Sequence, residues 1–157
     1  MKYLTFLLVF PTFLLSCKKE RDLSVNALAI STVSNLLVDR QTHWWHNNVS
    51  DTLLLNSNIQ YGASVVFYHI DGSDTINVSD QVLDDANKAL LFWETSDPGG
   101  TIDFKGGFEA SQGTQAFLQS AEAGGPHTLG LKLLYQADPN VQSGDVVLTA
   151  FLPVVVR

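Results

Sequence analysis

One cysteine, Cys17, stands in 157 residues, so no disulfide forms within the chain and stability has to come from packing. Basic residues are scarce as well. From residue 23 onward Arg40, Lys88, Lys105, Lys132 and Arg157 stand against 14 acidic residues, a formal charge of −9. Such a surface repels phosphate backbones and anionic headgroups, which argues against nucleic acid as a partner. The chain has no G-x-S-x-G elbow, no P-loop and no H-E-x-x-H. Asp84 and Asp85 are adjacent carboxylates, but neighbours on a helix point about 100° apart and do not face each other across a substrate. No catalytic residue is assigned, and the chain is read as a non-enzyme that carries no cofactor.

What is present is most specific at the start. Met1-Lys2-Tyr3 is a short basic opening, and Leu4 to Leu15 is an apolar run of 12 residues interrupted by Thr5, Pro11 and Thr12. As a helix this run spans about 18 Å against a hydrocarbon core of roughly 30 Å, so it reads as a signal-peptide core and not a membrane span. It ends in Leu14-Leu15-Ser16-Cys17, which resembles the bacterial lipobox: apolar residues, a small residue, then the cysteine that receives diacylglycerol before cleavage. The resemblance implies that residues 1–16 are removed and that Cys17 is the lipid attachment site. It also implies a covalent lipid, palmitate included, that holds the chain to the bilayer at roughly 0.8 kcal/mol per buried CH₂. Residues 17–24 then form the lipidated cysteine and a polar tether, Lys18-Lys19-Glu20-Arg21-Asp22 among them. In lipoproteins of this kind an aspartate just after the cysteine favours the inner membrane. Lys18 stands there instead, which points to the outer membrane of the cell envelope, with either face open.

From residue 25 to 157 the dominant period is two, the signature of strands. Thr128 to Gln136 puts Leu129, Leu131, Leu133 and Tyr135 on one face and Gly130, Lys132, Leu134 and Gln136 on the other. Thr101 to Lys105 alternates, with Ile102 and Phe104 inward. Ser64 to Ile70 and Ala89 to Glu94 are apolar on both faces, as central strands are. Val146 to Leu152 reads as a closing strand, with Pro153 placing its end at an edge or bulge. Val25 to Ser31, Asn35 to Asp39 and Asp51 to Leu55 are further strand candidates. Ser79-Asp80 predicts an N-capped short helix to about Lys88, with Val82, Leu83 and Ala86 on its apolar side. Turns are expected at Asp71-Gly72, Asp97 to Gly100, Gly106-Gly107, Gly124-Gly125-Pro126 and Asp138-Pro139. Strands punctuated this often predict one all-β domain, an immunoglobulin-like antiparallel β-sandwich with one short helix.

The stretch from about Asp51 to Val156 resembles a set of small bacterial lipoproteins found beside outer-membrane uptake receptors. The parts that carry the likeness are DTLLLNSNIQYGASVVFYHIDGSDTINVSDQVLDDANKALLFW, then LKLLYQADPN, then SGDVVLTAFLPVVV. The resemblance implies a sandwich fold and an accessory role in uptake, with an outer-membrane receptor as partner. It brings no catalytic residue.

Three groups are candidate sites. His43 and His46 could pair on a metal with help from His69 or His127, since imidazole binds zinc and copper, but an i, i+3 pair converges only on a helix or turn. The alternative is a loop with scattered histidines. Trp44 and Trp45 could stack on sugar rings, with Trp93 more simply a core residue; two adjacent tryptophans on one strand face opposite ways. Asp71, Asp74, Asp80, Asp84 and Asp85 are dense, yet their spacing does not fit a calcium loop and reads as a solvated acidic face. A non-enzymatic, anchored binding or accessory module is the leading expectation, and a metal- or carbohydrate-capturing lipoprotein the alternative.

Overall fold

The computed structural model describes residues 24–34, 36, 40–84, 87–95, 102–104, 115–120, 123–138 and 143–157; Cys17, the apolar run before it and the tether lie outside them. Within the described residues the chain is mostly β, in two sheets with one short helix. The strands are β1 (Ala27–Ser34), β2 (Arg40–His46), β3 (Val49–Ser50), β4 (Leu53–Leu55), β5 (Gln60–Asp71), β6 (Asp74–Asn77), β7 (Leu90–Thr95), β8 (Ile102–Phe104), β9 (Gln115–Ser120), β10 (Gly124–Asp138) and β11 (Ser143–Val156), with α1 (Ser79–Val82) between β6 and β7.

The larger sheet runs β3-β2-β1-β5-β9-β8, with β6 also on β5, and the smaller runs β4-β11-β10-β7. All pairs are antiparallel except β4 with β11, which is parallel. Both sheets contribute to one hydrophobic cluster. Leu28, Ile30, Val65, Phe67 and Leu118 come from the larger sheet, and Leu91, Leu129, Leu131, Leu133, Leu152 and Val154 from the smaller. Strand parity explains the division: on β5 every odd residue from Tyr61 to Phe67 is buried while its even neighbours are half-exposed.

β5 shares one of its sides between two partners. β9 pairs with Gln60 to Ser64 and β6 with Tyr68 to Asp71, which leaves the backbone of Phe67 between them. The start of α1 fills that gap. The Val78 N–H donates to the Phe67 carbonyl at 3.0 Å, and the Phe67 N–H donates to the Ser79 hydroxyl at 3.0 Å. Ser79 is therefore the first helical residue and not the expected cap, the cap position being Val78 with no side-chain bond. The expected helix to about Lys88 ends instead at Val82, whose side chain is buried in the core.

Four other expectations change. Ala89 to Glu94, read as central, becomes β7 at the end of the smaller sheet. Leu91 faces the core cluster with Trp93 packed against it, while Leu90, on the opposite face, is buried outside that cluster. Gly124-Gly125-Pro126 is not a turn but the irregular start of β10, where the register with β11 shifts. β11 does not stop before Pro153; it continues to Val156 as an interior strand. Pro153 pairs with Thr128, and the β4 ladder begins one residue later at Val154, so the missing N–H falls where β4 offers no partner. Finally, the segment from His43 onward is not a loop: β2 and β3 form a hairpin turned by Asn47 and Asn48 at φ 50° and 63°. The Asp71-Gly72 turn stands as expected, joining β5 to β6. Most of Asn35 to Asp39 and the turns at Asp97 to Gly100 and Gly106-Gly107 fall outside the described residues.

Candidate binding recess on the outer face

β2 distributes its histidines and tryptophans by parity. His43 and Trp45 face the core, 7% and 6% exposed, in register with Ile30 and Leu28 of β1. Trp44 faces solvent at 39% exposure, and His46 shares its side of the strand. The proposed metal pair is thus split across the sheet. His69 is engaged elsewhere, its Nδ1–H donating to the Ser24 carbonyl at 2.7 Å, and His127 lies on β10 of the other sheet. Among the described residues no group of three or more His, Cys, Asp or Glu is placed to hold a metal ion. The tryptophan pair is split in the same way: Trp45 is a core residue whose ring offers no free face.

Trp44 has a different aromatic partner. Its ring lies 4.8 Å from that of Tyr68 at an interplanar angle of 43°. Trp44 is on β2 and Tyr68 on β5, with β1 between them. Strands two places apart are separated by about 9.5 Å, so the rings must lean toward each other over β1. The β1 residues in register with them are Ala29, opposite Trp44, and Ala27, opposite Tyr68. These alanines are 4% and 0% exposed, although they lie on the outer face of the sheet. The aromatic pair roofs a floor of two methyl groups.

The backbone under Trp44 is held by Asp51. The Asp51 N–H donates to the Trp44 carbonyl, and the Trp44 N–H donates to an Asp51 carboxylate oxygen, both at 2.9 Å. A hydrogen bond to a charged acceptor is stronger than a neutral one, so this reciprocal pair fixes the hairpin where the chain leaves for β4. Around it Trp44, His46, Asn47, Val49, Ser50 and Asp51 line an open recess of about 470 Å³.

His43 lies on the core side of the same hairpin. Its Nε2 is buried with no hydrogen-bond partner. Burial lowers its pKa below the usual 6.5, against the opposing pull of the Asp51 charge and a backbone hydrogen bond at Thr52. The acidic candidates do not converge on this region. Asp71 and Asp74 face each other across the exposed β5–β6 turn, Asp80 is exposed on α1, Asp84 is exposed beyond it, and the placement of Asp85 is not described.

Sequence reasoning found Trp44 and His46 but not Tyr68, Asp51 or Ser50. Tyr68 joins the site only because β1 separates β2 from β5 by one strand, and no local pattern encodes that neighbourhood. The Asn47-Asn48 turn did carry a signal, since asparagine tolerates positive φ. Among the described residues no helix is long and apolar enough to cross a membrane. Compared with protein families, curated proteins and solved structures, the chain has no match.

Proposed function

We propose that this chain is a lipid-anchored, extracytoplasmic binding module of the outer membrane, without catalysis of its own, serving beside an uptake receptor. The observation that carries the binding role is Trp44, a large aromatic side chain kept open to solvent at the edge of a recess, while its neighbour Trp45 is buried. Here Tyr68, the alanine floor and the Asp51 brace hold it in place and leave it accessible. The anchor rests on the lipobox-like Leu14-Leu15-Ser16-Cys17, with residues 1–16 as signal peptide, 17–24 as tether and 25–157 as the binding domain.

An immunoglobulin-like sandwich is the finer fold reading, and strand order supports it. In that fold strands B, E and D neighbour one another in one sheet and C, F and G in the other. Assigning B to G along the chain to β5, β7, β8, β9, β10 and β11 gives β5-β9-β8 in one sheet and β7-β10-β11 in the other, which are the pairings present. Trp93 on β7 takes the place of the tryptophan that packs on strand C, here without the disulfide of antibody domains because Cys17 is alone. The β1–β2–β3 strands extend the first sheet beyond B, and they carry the recess.

Two measurements test the reading. Cells fed labelled palmitate should label the wild type and not Cys17→Ala. Crosslinking in intact membranes should then trap a receptor-sized partner, with a yield that falls when Trp44 is changed to Ala. An unacylated Cys17 would remove the anchor, and a partner-free chain would remove the accessory role.

A further inference from the structure

We propose that the recess beside Trp44 binds neutral saccharide, the indole stacking on the face of a pyranose ring while Asp51, Ser50, His46 and Asn47 engage its hydroxyls. This rests on the reading of the chain as a binding module and names its ligand class.

A pyranose presents a flat patch of C–H bonds ringed by hydroxyls that both donate and accept. A site for it needs a rigid aromatic face open to solvent and polar groups of both hydrogen-bonding senses around that face. Trp44 meets the first need. It is 39% exposed, its ring is propped by Tyr68 at 4.8 Å, and its backbone is held at both N–H and C=O by Asp51. A side chain already fixed in place loses little freedom on binding. The second need is met by chemistry of different kinds. The Asp51 carboxylate only accepts, and two oxygens give it capacity beyond the one bond to Trp44 N–H. The Ser50 hydroxyl, the Asn47 amide and the His46 imidazole supply donors as well as acceptors. At about 470 Å³ the recess falls within the roughly 300–1,000 Å³ of small-ligand sites.

Other ligand classes fit less well. The lining holds a carboxylate and no Lys or Arg, and the domain around it carries a formal charge of −9, so phosphates and acidic sugars are repelled. One carboxylate falls far short of the six or more oxygens a hard cation requires. A purely apolar ligand would cover Asp51, Ser50 and Asn47 without satisfying them. The edge strand at the recess, β3, is two residues long and offers too little ladder for an added peptide strand.

The test uses the full chain in a detergent without a sugar headgroup. Hexamers of glucose, mannose, galactose and N-acetylglucosamine are titrated by calorimetry and tryptophan fluorescence, beside a hexamer of galacturonic acid. At least one neutral hexamer should bind saturably, shield tryptophan emission from acrylamide and bind at least about tenfold more tightly than the acidic hexamer. Trp44→Ala should weaken binding by about tenfold or more, Trp44→Phe should keep part of it, and Phe151→Ala, an exposed ring on the other sheet, should leave it unchanged. Circular dichroism establishes that each variant is folded. A folded wild type that binds none of the neutral hexamers overturns the proposal. So does undiminished affinity in folded Trp44→Ala, or equal affinity for the acidic hexamer. Palmitate labelling of Cys17 is read separately: sugar binding without label refutes the anchor alone, and label without sugar binding refutes the saccharide site alone.

Discussion

Replacing Tyr61 with Phe tests how the chain is held where it crosses from one sheet to the other. Tyr61 begins the buried face of β5 and is 2% exposed. Its hydroxyl oxygen accepts the Asn56 backbone N–H at 2.8 Å and the Asn56 side-chain amide at 3.2 Å. Asn56 follows β4 of the smaller sheet, while Tyr61 belongs to the larger. The Asn56 carbonyl in turn accepts the hydroxyl of Ser120, a fully buried residue of β9. One asparagine thus ties three strands of two sheets. Tyr61→Phe keeps the ring and deletes only the acceptor, leaving a backbone N–H without its partner. An orphaned buried donor costs about 1–3 kcal/mol, and because Asn56 is half-exposed the lower part of that range, roughly 1–2 kcal/mol, applies. With a urea slope of about 1–3 kcal/mol/M, the midpoint should fall by on the order of 0.5–1 M. Ser120→Ala should cost a similar amount, and the double variant should depart from additivity by about 0.5 kcal/mol or more because both act through Asn56. Equilibrium urea unfolding followed by circular dichroism reads all four corners. A Tyr61→Phe midpoint equal to the wild type, or strictly additive costs, would refute the idea that this hydrogen-bond knot holds the crossover.

Other outcomes follow from single sites. His43 is lowered chiefly by burial, so the fold prefers its neutral form: its contribution is complete above pH 6.5 and is lost as pH falls from there toward the lowered folded value. Urea midpoints measured from pH 7.5 to 5 should therefore decline, and decline less in His43→Gln; equal slopes would refute the assignment. Trp45→Ala should cost about 3–5 kcal/mol and Trp44→Ala less, about 1–2 kcal/mol, since it gives up the Tyr68 contact and uncovers the alanine floor but opens no core cavity, a contrast that thermal unfolding resolves. Gly125 sits at φ 132°, where an added Cβ would lie 3.0 Å from the Val154 carbonyl oxygen, so Gly125→Ala should lower the melting temperature more than Gly72→Ala, which also has positive φ but meets no atom within 4 Å.

The strands with one wet face were legible from alternation. Leu129, Leu131 and Leu133 on β10 are buried as their spacing requires, whereas Ser64 to Ile70, apolar on both faces in sequence, is buried on one face of β5 only, through Phe67. Leu134 is buried without joining the core cluster: β10 keeps a regular register with β7 there, so Leu134 lies on the opposite face, across from Leu90, as its spacing requires. β2 gave no pattern at all: His43-Trp44-Trp45-His46 carries an aromatic ring at every position, so hydrophobicity does not alternate even though burial does. The cap was misassigned because Ser79, a good cap in isolation, accepts the Phe67 N–H with its hydroxyl, a contact made by the tertiary fold. At the candidate site, exposure of one of two adjacent tryptophans followed from strand geometry. Which one, and that a tyrosine from β5 would meet it, depended on strand order.

The position of β11 has a consequence for how this domain comes into being. It is the last strand in chain order, yet it lies between β4 and β10, and its tip is clamped by bonds from Arg157 N–H to the Leu55 carbonyl and from Ser57 N–H to the Arg157 carbonyl. Until that stretch arrives, β4 has no neighbour and β10 has only β7. The β10–β11 ladder closes across a short connection, with Asp138 opposite Ser143, but β4 pairs Leu53 with Val154, and gathering so long a loop of chain is slow. The smaller sheet is therefore completed late in folding, with β4 the last of its strands to gain a neighbour.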